Sequence, residues 1–153
     1  MPEETIYQPS DLAGAKRTEF LQKAREGSAR VRDKDGTSLV MLPESHVSWL
    51  RLVATWSGHL LRLRELLARE SLPSLGDLGD LAWLRVFDRD DLNEFVDEIQ
   101  QVLIASIADE NADALEEAVR AWRVTAKQID DPLRRAVLTG EFSLTDYVAV
   151  DRP

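Results

Sequence analysis

The spacing of apolar residues changes period along the chain, and each change marks an element. Thr5–Gln8, "TIYQ", is a short alternating piece that reads as a strand ended by Pro9. From Leu12 to Glu26 the apolar residues Leu12, Ala13, Phe20, Leu21 and Ala24 form one helical stripe. Ser10 or Asp11 can cap that helix, and Gly14 weakens its first turn. Gly27 is expected to stop it in the left-handed conformation. The period then drops to two. Ala29, Val31 and Asp33 share one parity, and Arg30, Arg32 and Lys34 the other, so the two sets face opposite sides of a strand. Asp35-Gly36 supplies a tight turn, and Thr37 to Leu42 is the returning strand. Because Leu39 to Leu42 are apolar on both parities, that strand is expected to be covered on both faces.

Pro43 suits the first turn of a helix, where its missing N–H leaves no bond unmade. The helix it opens runs to about Arg69 and carries two apolar stripes. One is Val47, Leu50, Val53, Ala54 and Leu61; the other is Trp49, Leu52, Trp56, Leu60, Leu63 and Leu67. A helix apolar on two sides must bury two sides. One side can cover the sheet; the other needs the C-terminal half or a second copy, and a homodimer through Trp49, Leu52, Trp56 and Leu60 is expected. Residues 70–80, "ESLPSLGDLGD", break the pattern with Pro73, Gly76 and Gly79 and read as a linker that packs through Leu72, Leu75, Leu78 and Leu81. Beyond it, Asp90 or Asp91 opens a helix to about Ile107 with the stripe Leu92, Phe95, Val96, Ile99, Val102 and Leu103. Asp109 or Asn111 opens another, with Leu115, Val119, Trp122, Ala126 and Ile129 inward. Asp131-Pro132 starts a short helix to Gly140, and the tail "FSLTDYVAVDRP" is expected to be an extended strap. The fold class is therefore α+β: a small antiparallel sheet with helices over residues 1–69, a linker at 70–80, and an all-helical, acidic extension at 81–153.

Charge sharpens this division. Residues 1–69 hold 11 Lys+Arg and 9 Asp+Glu, whereas residues 70–153 hold 8 and 19. A net charge of −9 argues against nucleic acid until its distribution is considered: the basic surface near the N-terminus can meet phosphates, and the acidic half can meet a basic protein. No constellation supports an enzyme, a cofactor or a small-molecule substrate. The chain has no cysteine, and its two histidines, His46 and His59, fall on one helix with no second ligand cluster, so no metal site is expected. Asp90, Asp91, Glu94, Asp97 and Glu98 read as a solvated helix face rather than a cation site. Neither a membrane span nor a secretion signal is expected, which makes the cytoplasm the default location.

Four pieces taken in order carry a resemblance: "AGAKRTEFL" (Ala13–Leu21), Gly27, "ARVRDKDG" (Ala29–Gly36) and "SLVMLPES" (Ser38–Ser45). Over about residues 5–60 the chain resembles the Phd/YefM-type, or prevent-host-death, antitoxins of bacteria. The resemblance implies a dimeric DNA-binding domain that represses its own operon, and a C-terminal extension that wraps a cognate protein toxin. The family's helix arginine falls on Gly14, its hydrophobic partner on Arg17, and its basic residue before the turn on Asp33. The DNA-binding set it suggests here is thus Lys16, Arg17, Arg30, Arg32 and Lys34, and the toxin-binding set Phe95, Glu98, Trp122, Phe142 and Tyr147. An acidic extension suits a basic toxin. The alternative reading keeps the antitoxin fold as a protein-interaction module that no longer binds DNA.

Overall fold

Strand β1 (Ile6–Tyr7) leads through a 3-10 turn (Pro9–Ala13) to helix α1 (Arg17–Glu26), and then to the hairpin strands β2 (Ala29–Arg32) and β3 (Ser38–Met41). Helix α2 (Glu44–Leu67), a short α3 (Leu75–Leu78), a 3-10 segment (Gly79–Val86), α4 (Arg89–Asp109) and α5 (Asp113–Asp130) follow. The computed structural model describes residues 5–132. The helix expected after Pro132, the C-terminal strap, Phe142 and Tyr147 lie outside the described residues. The chain divides into two compact units, 1–54 and 55–153, so the division falls inside α2 and not in the 70–80 linker.

In the first unit the sheet has the order β1-β2-β3. It is mixed rather than antiparallel: β1 runs parallel to β2, and β2 antiparallel to β3. β2 is therefore the central strand. Tyr7, Ala29 and Val31 share the face covered by α1, and they bury together with Phe20 and Ala24. Tyr7 meets Phe20 edge-on at 5.2 Å, and its hydroxyl donates to Glu19 Oε1 at 2.8 Å. β3 contradicts the expectation of two-sided cover: all four of its residues are exposed, because it sits at the edge of the sheet.

Helix α1 starts later than its apolar stripe suggests. Gly14 adopts an extended conformation that separates the 3-10 turn from the helix. Asp11 accepts from the Gln8 N–H at 2.9 Å and so caps the turn rather than α1. The helix ends at Gly27 as expected, but with an extended φ of 173° in place of the left-handed one. The hairpin loop spans Asp33–Thr37. Asp33 N donates to Thr37 O at 2.8 Å, Gly36 N to Asp33 O at 3.0 Å, and Thr37 N to Asp35 Oδ1 at 2.8 Å. Gly36 alone in the loop has a positive φ, 87°, with open space where a Cβ would go. Gly36→Ala is therefore expected to cost about 1 kcal/mol through backbone strain alone, read as a lower denaturant midpoint with an unchanged slope.

Pro43 serves as the cap of α2, its carbonyl accepting from His46 N at 3.0 Å. Of the two stripes on α2, the one with the tryptophans is buried: Trp49, Trp56, Leu60, Leu63 and Leu66 are all inside. The other stripe is left open at Leu50 and at Leu61, which is 73% exposed. The buried stripe includes most of the dimer surface expected on α2. Trp49, Trp56 and Leu60 are already covered within one chain, and Leu52 is half-buried.

The second unit absorbs the expected linker. Ser74 and Asp77 form a reciprocal cap at the start of α3, with Ser74 N donating to Asp77 Oδ2 at 2.9 Å and Asp77 N to Ser74 Oγ at 3.2 Å. Leu78, Leu81 and Leu84 bury, while Leu72 and Leu75 stay outside. Asp88, not Asp90 or Asp91, caps α4 by accepting from Asp91 N at 2.9 Å. The α4 stripe is as expected: Leu92, Phe95, Val96, Ile99 and Leu103 are buried. α5 turns Leu115, Ala118 and Ala126 inward; its N-cap is Ala112, and just ahead of it Asn111 Oδ1 accepts from Asp113 N at 2.7 Å.

Candidate functional site

Strand alternation splits the basic residues of the first unit. Arg30 and Arg32 pair with Val40 and Ser38 across the hairpin, and this set points away from the face that holds Ala29, Val31 and α1. Lys16 and Arg17 lie at the start of α1, on the opposite side of the sheet. Lys34 sits in the hairpin loop. The five candidates thus form two groups with the sheet between them, plus one loop residue. Arg32 and Lys34 are exposed, and Arg30 is half-buried beside Ile6 and Val40. Lys16 is held at 3.5 Å from Asp11 in an exposed ion pair.

Acidic groups modulate the basic surface. Asp33 accepts from Lys34 N at 2.7 Å. Hydrogen bonding to Thr37 holds the Asp35 carboxyl below its usual range, so it stays charged in the loop. Two carboxylates therefore share the hairpin loop with Lys34 and follow Arg32 in the sequence. Lys23 is occupied elsewhere, close to Glu19 and to the Thr5 hydroxyl, with its ammonium 5.5 Å over the Tyr7 ring.

In the second unit the proposed toxin-facing residues separate into core and surface. Phe95 is fully buried at the centre of an aromatic cluster, 6.1 Å from Trp56, 5.6 Å from Trp83 and 5.3 Å from Trp122. It stands on the inward stripe of α4, so it belongs to the core and cannot be a contact residue as placed. Glu98 accepts from Trp122 Nε1 at 2.8 Å, and Trp122 also packs on Phe87 at 5.2 Å. This pair lies at the border of the core, with Trp122 half-buried and Glu98 exposed. Sequence reasoning missed two residues here. Arg89 donates to three carbonyls, those of Leu67 at 2.7 Å and of Arg69 and Glu70 at 2.9 Å. Trp83 supports Arg123, whose guanidinium lies 5.3 Å from its ring centre in a recess of about 170 Å³ also lined by Arg85, Lys127 and Asp130.

Among the described residues no three His, Cys, Asp or Glu side chains group as a metal site would need. None of the described helices is long and apolar enough to cross a membrane. His46 and His59 each lie against a tryptophan of α2, at 5.0 Å from Trp49 and 5.2 Å from Trp56. Burial pushes the His59 imidazole below its usual range; Asp80 opposes this, and Arg62 and Arg123 reinforce it. In the unfolded chain the imidazole titrates near pH 6.5. The unfolded state thus binds the extra proton first, and stability declines as pH falls through that range. His59→Gln is expected to flatten this decline in denaturant midpoints taken between about pH 7 and pH 5.

Comparison with protein-family models, with curated proteins and with solved structures gives no significant match. The functional reading therefore rests on the residues themselves.

Proposed function

We propose that the chain is an antitoxin of the Phd/YefM type, which binds operator DNA through its first unit and neutralises a basic protein toxin through its second. The observation that carries this reading is the partition of charge between two separately packed units. Residues 1–54 hold eight Lys+Arg and eight Asp+Glu, so residues 55–153 hold the whole net charge of −9. Within the balanced unit, Arg30 and Arg32 share one sheet face, Arg32 exposed and Arg30 half-buried. A basic patch on a neutral unit can approach phosphates without dragging an acidic layer toward them, and an acidic helical layer attracts a basic partner. The protein would act in the cytoplasm, as two copies on DNA.

Phosphate contacts make affinity fall with salt. If two copies each place Arg30 and Arg32 on the backbone, the slope of log K against log salt is about −3 to −4. Gel shifts on the DNA upstream of the gene should show that dependence, and Arg30→Ala/Arg32→Ala should reduce it. Binding that ignores salt, or that survives the double variant unchanged, rejects the DNA half of the proposal.

A second reading is favoured by the separation of Lys16 and Arg17 from Arg30 and Arg32, and by Asp33 and Asp35 in the hairpin loop that follows Arg32. On that reading the first unit keeps the fold as an interaction module and has no operator. The same gel shifts decide between the two.

A further inference from the structure

Acid is in excess in the second unit, with 11 Lys+Arg against 20 Asp+Glu over residues 55–153. A cation there has carboxylates to choose from. Arg69, Arg85 and Arg120 each take one, at Asp77, Asp130 and Glu117. Arg123 and Lys127 stand one turn apart on α5, and among the described residues neither has a carboxylate at ion-pair distance. Both line the recess of about 170 Å³ between α5 and the 3-10 segment. Arg85 lines it too, but Asp130 holds that guanidinium at 2.8 Å and cancels its charge. The rest of the lining is apolar: Trp83, Val86 and the buried Ala126. The Trp83 ring steadies the Arg123 guanidinium. Its own indole N–H is buried and has no acceptor among the described residues, so Trp83 adds a donor to this wall and no acceptor.

We infer that this recess binds a small organic anion, a carboxylate carried on a single ring. Arg123 and Lys127 take the carboxylate, and Trp83, Val86 and Ala126 receive the ring. Size sets the body of the ligand. An apolar cavity of about 150 Å³ admits benzene, so this recess accepts one ring and is too small for a nucleotide. Charge sets the head group. Two free cations match the two oxygens of a carboxylate, and a guanidinium fork suits that planar group. The third cation that a phosphate would draw on, Arg85, is already taken by Asp130. A ligand held here ties α5 to the 3-10 segment and stabilises the second unit by mass action. The inference requires neither an operator nor a toxin.

The test uses the full chain labelled with nitrogen-15, and benzoate as the probe. The Trp83 indole N–H resonance, assigned by its loss in Trp83→Phe, should shift saturably with a Kd of about 1 mM. The amides of residues 123–127 should move with it, while the Trp49 indole stays in place. Benzamide has the ring without the charge, and inorganic phosphate the charge without the ring. Each should bind at least about tenfold more weakly than benzoate. Arg123→Gln/Lys127→Gln should weaken benzoate by about tenfold or more with the helical circular dichroism retained, because both side chains are exposed. Arg120→Gln, on the same helix, should leave benzoate binding unchanged. No saturable shift, benzamide or phosphate binding as tightly as benzoate, or a double variant that keeps the parent affinity would each overturn the inference.

Discussion

Phe95→Ala is expected to destabilise the second unit by about 3–5 kcal/mol, the usual cost of emptying a fully buried aromatic site. Phe95 has no exposed surface, and the rings of Trp56, Trp83 and Trp122 surround it at 5.3–6.1 Å. Three elements meet there: α2 brings Trp56, the 3-10 segment brings Trp83, and α5 brings Trp122. Rings of this size cannot all move inward to fill the space, so the cavity persists and adds to the lost transfer energy. Chemical denaturation followed by tryptophan fluorescence measures the loss directly, since the probes line the cavity. Phe95→Leu should recover part of it by restoring volume without the edge-on ring contacts. An alanine variant within about 1 kcal/mol of the parent would show that the cluster is not the core of this unit.

Arg89→Ala is the second large effect, expected at about 2–3 kcal/mol. Helix α2 ends at Leu67; the Arg64 and Leu66 carbonyls accept from Ala68 N and Arg69 N, and the Leu67 carbonyl accepts from Arg89. The Arg89 guanidinium takes the carbonyl of Leu67 on one nitrogen and those of Arg69 and Glu70 on the other. Its positive charge also suits the negative end of the helix dipole. Removing it strands the part-buried Leu67 carbonyl, leaves the exposed Arg69 and Glu70 carbonyls to water, and frees the connection between α2 and α3. Arg89→Lys should rescue little, because an ammonium cannot reproduce a planar fork across three carbonyls. The loss should appear in denaturant midpoints and as faster amide exchange at residues 67–72. Full rescue by lysine would contradict the fork and reduce the role of Arg89 to charge alone.

How legible these features were depends on whether they are local. The α4 and α5 stripes could be read because Leu92, Phe95, Ile99 and Leu115 repeat at the helical period, and the stop at Gly27 and the hairpin near Gly36 were equally local. The edge position of β3 was not, since apolar residues on both parities describe a buried central strand and an interface strand equally well. Strand order decides between them, and β1 pairing in parallel with β2 leaves β3 outside. On α2 both stripes were visible, but which one the chain covers depends on packing against residues as distant in sequence as Phe95. The linker was misjudged although its cap was present in the sequence: Ser74 and Asp77 stand three apart before a leucine repeat. Arg89 had no local signal, because its acceptors lie 19–22 residues upstream.

The candidate site shows the same limit. Alternation correctly placed Arg30 and Arg32 on one face. It could not reveal that α1 lies on the other, which separates Lys16 and Arg17 from them. Phe95 was a core residue by its stripe and a contact residue only by resemblance, and burial decides for the stripe.

The central claim is that an acidic helical unit neutralises a basic toxin on behalf of a DNA-binding partner unit. Co-expression of the full chain with the product of the adjacent gene tests it most directly. The account predicts that the neighbour alone arrests growth, that this chain restores it, and that the two proteins purify together in a complex weakened by salt. A harmless neighbour, or growth arrest that this chain neither relieves nor accompanies with a stable complex, would contradict it.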